Sequence, residues 1–337
     1  MKKAWKKCTA VFAAVMTFAL SAACGETKTD VTVYMPDGAP SMAFAAMMKD
    51  DKADDGVSYK VVDPKLIKNA VTYKEESDNA DLCVLPVTAA AKLLGSGEKY
   101  QMLGTVTHGN LYLIAKGDTA YTSENLNGLI GKTVGVLQIA EVPGLTLKSV
   151  LAKLELPYQE VTSVENAAAD KINLLPLTGA GDVGALPGVE TYLLGEPAVT
   201  AKVKALQGYT IAGDLQALYG GENGYPQAVL VAKKSLLESR KTWVEDFVDD
   251  VAESAAWLET ATGAEIVSAV TAHLADKDYQ STLKPAMLQA ETVSRCGVYF
   301  TSAKACLAEV NAYLTGIGNV DGKTTPPQAA FYCTWDF

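Results

Sequence analysis

The chain has 337 residues, 49% hydrophobic and 20% charged, which fits two folded domains and excludes a disordered or coiled-coil protein. Its 39 acidic against 29 basic residues give a formal charge of −10, which repels nucleic-acid backbones and anionic lipid. Two histidines, His108 and His273, and two arginines, Arg240 and Arg295, leave little for a histidine-rich metal centre or a His-based triad.

Residues 1–23 read as an export signal. Lys2, Lys3, Lys6 and Lys7 precede an apolar run from Thr9 to Leu20, and small residues follow up to Cys24. The apolar run is too short to cross a bilayer comfortably. The stretch Leu20-Ser21-Ala22-Ala23-Cys24 resembles a bacterial lipoprotein box, in which the Cys24 thiol takes a diacylglycerol before cleavage in front of it. The leucine stands one place further from the cysteine than is usual, and Ser21-x-Ala23 also suits ordinary signal peptidase. Residues 24–30 then read as a polar, lipid-anchored tether. No later run reaches the roughly 18 consecutive apolar residues of a membrane span. Export permits disulfides, so Cys83, Cys296, Cys306 and Cys333 need separate readings. Cys83, inside Leu82–Leu85, and Cys306, in phase with Ala303, Leu307, Val310 and Leu314, read as buried small hydrophobes. Cys296 and Cys333 fall in irregular stretches, and a disulfide between them stays open.

From Val31 onward, short apolar runs alternate with amphipathic ones. Val31–Met35 predicts a strand, Pro36–Ala39 a turn, and Pro40 to Lys49 a helix with proline at its first position. Asp81–Leu85 predicts a strand followed by a helix opening at Thr88, a good N-cap residue. Leu111–Ala115, Thr133–Leu137 and Ala228–Ala232 complete a set of near-continuous apolar strands, of the kind covered on both faces. Strands alternating with helices predict an α/β protein with parallel sheets. From Trp243, a stripe of Val244, Phe247, Val248, Val251, Ala255 and Leu258 predicts an amphipathic helix. Glu245, Asp246, Asp249 and Asp250 form its solvated side.

In open parallel sheets, ligands sit beyond the carboxyl ends of strands, where helix N-termini offer free backbone N–H groups. The polar residues at the predicted strand ends are Tyr34, Ser41, Thr88, Asn110, Gln138, Glu141, Glu196 and Gln227, and these are the candidate ligand contacts. Ser41 and Thr88 offer hydroxyls, while Asn110, Gln138 and Gln227 offer amides that both donate and accept. A cap or turn role is the competing reading for each. No GxSxG, Walker A, GxGxxG, HExxH or EF-hand pattern occurs, so binding without catalysis, cofactor or metal is the economical expectation.

The stretches VTVYMPDGAPSMAFAAMM, GLIGKTVGVLQIAEVPGLTLKSVL, YLLGEPAVTAKV and GYPQAVLVAKKSL resemble the solute-binding proteins of ABC importers, in the nitrate/sulfonate/taurine/thiamine-pyrimidine (NitT/TauT-type) family. The resemblance runs from Val31 to the C-terminus. It implies a two-lobed, type 2 periplasmic-binding-protein-like fold, each lobe a mostly parallel sheet flanked by helices, with two crossing strands. Lobe I is expected at 30–114 plus 226–337 and lobe II at 115–225, with crossings near Ile114–Gly117 and Gly224–Gln227. It further implies a monomeric, extracytoplasmic protein, at the outer face of the cell membrane or periplasmic, that closes on a small solute and docks on an ABC permease with its ATPase. The Glu-Pro motif assigns Glu196 to the site. With both arginines outside the loops considered and Glu141 and Glu196 bringing negative charge, the expected solute is a neutral or cationic donor-rich heterocycle, such as a thiamine-precursor pyrimidine. A sulfonate, taurine or nitrate receptor is the alternative, and a sensor lipoprotein of the same fold another. A pyrimidine synthase of this fold family depends on a histidine and a cysteine-rich segment. Only His108 lies near the expected cleft and no cysteine cluster accompanies it, so an enzyme is not expected.

Overall fold

The computed structural model describes residues 30–50, 56–221 and 224–337; the leader and Cys24 lie outside them. The first part of the chain runs β1 (Val31–Pro36), α1 (Ala39–Met42), α2 (Ala45–Lys49), β2 (Val57–Val62), β3 (Leu82–Pro86), α3 (Val87–Leu94) and β4 (Tyr100–His108). A second block follows: β5 (Leu111–Lys116), β6 (Thr133–Leu137), α4 (Val142–Lys153), β7 (Tyr158–Glu160), β8 (Ile172–Leu177), β9 (Thr191–Gly195), α5 (Ala198–Ala205), β10 (Tyr209–Asp214) and α6 (Leu215–Tyr219). The chain ends with β11 (Pro226–Lys233), α7 (Lys234–Ser239), α8 (Lys241–Trp257), α9 (Gly263–Ala272), α10 (Ala290–Arg295), β12 (Val298–Ser302) and α11 (Ala303–Asp321).

These strands form two six-stranded sheets, ordered β12-β4-β11-β3-β1-β2 and β10-β5-β9-β6-β8-β7. Parallel pairing unites β1, β2 and β3 in the first and β6, β7, β8 and β9 in the second. The antiparallel members include β4, β5 and β11, which flank the places where the chain passes between sheets. The fold is two-lobed α/β. The chain leaves the first sheet after His108 and enters the second at Leu111, ahead of the crossing expected at Ile114–Gly117, which falls within β5 and just after it.

Alternation along the strands explains the layering. In β3, Leu82 and Val84 face one apolar cluster and Cys83 and Leu85 another; in β11, Leu230 and Val231 divide the same way. The second sheet repeats this, with Leu111 and Leu113 on one side and Tyr112 and Ile114 on the other. One of the three clusters spans both lobes, because α4 of the second block packs on α11 of the last. There the Thr146 and Tyr313 hydroxyls lie 2.6 Å apart in the buried contact. Each fully buried leucine in these layers contributes roughly 1.5–3 kcal/mol relative to exposure.

Two expectations change, and the cysteine pairing left open above is resolved. The helix expected from Pro40 to Lys49 is two short ones, because Ala46 N–H donates to Ser254 Oγ on α8 (3.1 Å) instead of continuing the turn. The helix after β3 opens at Val87 with Pro86 at the cap, so Thr88 lies inside the first turn. The four described cysteines are free and buried, with no Cys296–Cys333 disulfide, and burial pushes their thiols up. The α8 stripe buries Val244, Phe247, Val248, Val251 and Ala255 as expected, and Cys306 is buried, whereas Leu307 is exposed. Among the described residues no helix is long and apolar enough to cross a membrane.

Candidate functional site

The first passage between sheets is two residues long, Gly109-Asn110, and is fixed from both sides. A Cβ on Gly109 would meet Gln216 Cγ and the Tyr225 ring at 2.7 Å, so only glycine fits between them. Gly109 N–H donates to the Tyr225 carbonyl (2.9 Å), and Gln216 Oε1 accepts from Leu111 N–H (3.0 Å) and the Tyr225 hydroxyl (3.1 Å). Asn110 then joins three segments. Its N–H donates to Gln227 Oε1 on the returning strand (3.2 Å), and its Nδ2 donates to the Glu196 carbonyl (3.4 Å). Its own carbonyl accepts from Glu196 N–H (3.0 Å).

Just before the passage, His108 stacks on Tyr299 with ring centroids 3.6 Å apart and planes 1° from parallel. Its Nε2 lies 2.9 Å from Thr105 Oγ1, which donates to the Thr301 carbonyl (3.4 Å). Nε2 also lies 3.4 Å from Thr301 Oγ1, so this ring nitrogen is held between two hydroxyls. Burial pushes His108 down to about 4, against a smaller raising effect of the nearby Gly297 backbone. Among the described residues three buried side-chain polar atoms lack a partner: Thr107 Oγ1, His108 Nδ1 and Asn110 Oδ1. All three fall within four consecutive residues at the passage. A buried polar atom left unpaired costs roughly 1–3 kcal/mol, so such a concentration marks where a ligand or bound solvent is expected.

Glu196 follows β9 and precedes α5 through a cis peptide bond to Pro197. Its side chain is wholly buried. Oε2 accepts from Thr200 N–H (3.0 Å), and Oε1 accepts from the Thr200 hydroxyl (2.8 Å) and from Arg295 Nε (2.7 Å). Arg295 belongs to α10, whose Val293 and the following Cys296 pack in the first sheet's core, so this ion pair joins the two lobes. Its other nitrogens donate to Thr200 Oγ1 (2.9 Å) and Glu291 Oε1 (2.6 Å). Burial works against the Arg295 charge, but Glu196 and Glu291 outweigh it and hold the guanidinium above its ordinary value.

The eight candidates therefore divide. Asn110, Glu196 and Gln227 come together in one hydrogen-bonded network. Glu141, at the N-cap of α4, accepts from Lys68 Nζ of the first lobe at 2.9 Å, a second ion pair between lobes. Tyr34 accepts from Lys60 Nζ (3.2 Å) on the neighbouring strand. The buried Ser41 hydroxyl is spent on the Gly38 carbonyl (2.8 Å), Thr88 is buried in the first turn of α3, and Gln138 is exposed with a positive φ of 57°. Neither carboxylate thus brings uncompensated charge to the region, and Arg295, outside the loops considered above, lies against Glu196. The sequence reading missed Thr200, Thr292, Lys68, Gln216 and the role of His108. Only Thr200, four residues after Glu196 at a helix start, carries a local signal.

Asp37, in the loop after β1, is buried and fully used. It accepts from the Ser281 hydroxyl (2.6 Å), Thr282 N–H (2.6 Å), the Thr282 hydroxyl (2.7 Å) and the Tyr279 hydroxyl (3.2 Å). It anchors a loop and has no capacity left for a ligand. A groove of about 510 Å³ lined by Trp243, Phe247, Trp257, Asp246, Asp250 and Glu253 lies beside α8, and no residue of the passage lines it.

Solved structures with this arrangement are numerous. An ABC transporter structure from Parabacteroides distasonis is 23% identical, with a TM-score of 0.67, and covers 90% of this chain and 99% of its own. The periplasmic aliphatic sulphonate binding protein SsuA of Escherichia coli is 14% identical, with a TM-score of 0.62, covering 90% of each chain. A Candida albicans gene product of the generic periplasmic binding protein structural fold matches at 13% identity, with a TM-score of 0.50, covering 87% of this chain and 91% of its own. The fold is that of a periplasmic binding protein. No protein-family model and no curated relative matches the sequence. At these identities the likeness concerns the fold, and the site has to be read from this chain's own residues.

Proposed function

We propose that the protein is the solute-binding component of an ABC importer, of the nitrate/sulfonate/taurine/thiamine-pyrimidine type, which captures a small molecule between its lobes and delivers it to a permease. The observation that carries this reading is the cluster of unpaired buried atoms on Thr107, His108 and Asn110, at the passage between lobes of a fold whose neighbours include ABC import components. In this reading lobe I runs to His108 and resumes at Pro226, and lobe II begins at Leu111, where the strands change sheet, rather than at residue 115. The protein is extracytoplasmic, monomeric, non-enzymatic and held at the membrane through Cys24.

Asn110 and Gln227 are the proposed direct contacts, with Tyr34, Thr88, Gln138 and Glu141 lining the approach. Ser41 and Glu196 serve internal bonds. A donor-bearing neutral solute, a pyrimidine or similar heterocycle, is favoured on new grounds. Glu141 and Glu196 are both paired and leave no charge to select a cation, whereas Asn110 Oδ1 is an acceptor without a partner, beside Thr107 Oγ1 and His108 Nδ1. A sulfonate would have to be held by backbone N–H groups and hydroxyls, because Arg295 is engaged on three sides.

A thermal-shift panel of thiamine, its pyrimidine precursors, purines, riboflavin, polyamines, taurine, alkanesulfonates and nitrate tests this. A solute at 100 times its Kd adds about 2.7 kcal/mol of stability, a rise of several degrees. One chemical class shifting the wild type, with the shift lost in Asn110→Ala, is the expected result. A folded protein indifferent to the whole panel counts against the receptor reading.

A further inference from the structure

The Glu196–Arg295 pair has the composition of a ligand site already filled. From the first lobe comes a guanidinium, with Nε on the carboxylate at 2.7 Å. From the second come the Thr200 backbone N–H and the Thr200 hydroxyl, at 3.0 and 2.8 Å. A guanidinium facing helix-start donors is how a carboxylate or sulfonate is held between two surfaces. Here the anion is Glu196 itself, tethered at the end of β9, and its side chain is closed off from solvent. Thr292 Oγ1 lies 3.1 Å from Thr200 Oγ1, and the Tyr112 hydroxyl donates to the Arg295 carbonyl (3.4 Å), so both lobes brace the contact.

We propose that Glu196 is an internal surrogate anion: it occupies Arg295, bridges the lobes, and so determines that the cleft admits neutral solutes and rejects anionic ones. The selectivity part rests on the receptor reading above. A buried ion pair is a poor source of net stability compared with apolar packing, so stability alone does not account for this contact. Glu196 is then a specificity-determining residue that never touches the solute.

Glu196→Ala removes the surrogate and leaves a carboxylate-sized space facing Arg295 and Thr200. The purified variant is titrated with acetate, methanesulfonate and nitrate by calorimetry and thermal unfolding, beside the wild type and the Glu196→Ala/Arg295→Gln double variant. The expected result is saturable anion binding by Glu196→Ala at least tenfold tighter than by the wild type, and abolished in the double variant. A folded Glu196→Ala that binds none of these anions, or a wild type that binds them equally well, overturns the proposal. Should Glu196→Ala not fold in plain buffer, refolding is compared in acetate and in chloride of equal ionic strength. Rescue by acetate alone supports the proposal, and equal behaviour in both salts overturns it. The receptor reading stands or falls separately, on whether any solute of the panel shifts the wild type. A wild type that binds an alkanesulfonate would keep the receptor and sink the surrogate.

Discussion

His108 offers a quantitative test of the site's geometry, because its burial makes folding stability depend on pH in a defined window. The unfolded chain takes up this proton near the ordinary value of 6.5, whereas the folded imidazole resists until about 4. Below pH 6.5 the unfolded state therefore binds more protons, so stability is complete above that value and is lost as pH falls toward 4. At roughly 1.4 kcal/mol per unit of displacement, the full loss is about 3 kcal/mol, of which about 2 falls between pH 7 and pH 5. Urea unfolding of the wild type and of His108→Gln at those two pH values isolates the effect, because the many carboxylates contribute equally to both proteins. The wild type should lose about 2 kcal/mol more than the variant on acidification. Parallel losses in the two proteins would mean that His108 is not held neutral beneath Tyr299.

Asp37→Ala strips the acceptor from four donors and should cost about 2–4 kcal/mol by chemical denaturation, given about 1.5–3 kcal/mol for a hydrogen bond to a charged group and strong non-additivity; a loss under about 0.5 kcal/mol, the range of neutral surface changes, would show that the loop is not anchored there. Asp250 sits beside Glu253, Asp246 and Asp249, and burial first and these neighbours second raise its carboxyl. Because the raised group is destabilising when ionised, Asp250→Asn should increase the melting temperature at neutral pH. The gain should fade as pH drops and the wild type protonates, and a pH-independent difference would contradict the assignment. Gly109→Ala places a methyl against Gln216 and Tyr225 and should lower the melting temperature clearly, while Gly117→Ala, with open space but a positive φ of 91°, should cost only the backbone term.

The fold was largely readable because it is written in local periodicity. Leu82–Leu85 and Thr133–Leu137 are apolar on both faces, and the α8 stripe has helical spacing, so each announces its element without tertiary information. The break in the first helix was not readable, since it depends on Ser254, more than two hundred residues away. The site divides in the same way. Asn110 and Gln227 are named from their place at strand ends, whereas the hydrogen bond between them is set by two passages between sheets. Glu196 is named through its motif, but its charge cannot be judged there because Arg295, 99 residues later, neutralises it. Counting carboxylates in a sequence gives formal charge; only the fold shows which of them are spent.

The most direct test of the account is an interlobe distance followed during solute titration. Lys92 on α3 and Ala152 on α4 are exposed, one in each lobe, and the four described cysteines are buried, so Lys92→Cys/Ala152→Cys takes probes selectively at those positions. With the solute identified by the thermal panel, the account predicts a saturable change in this distance whose midpoint matches the Kd of binding, and no such change in Asn110→Ala. Tight binding with an unaltered distance would contradict closure of the lobes on the solute.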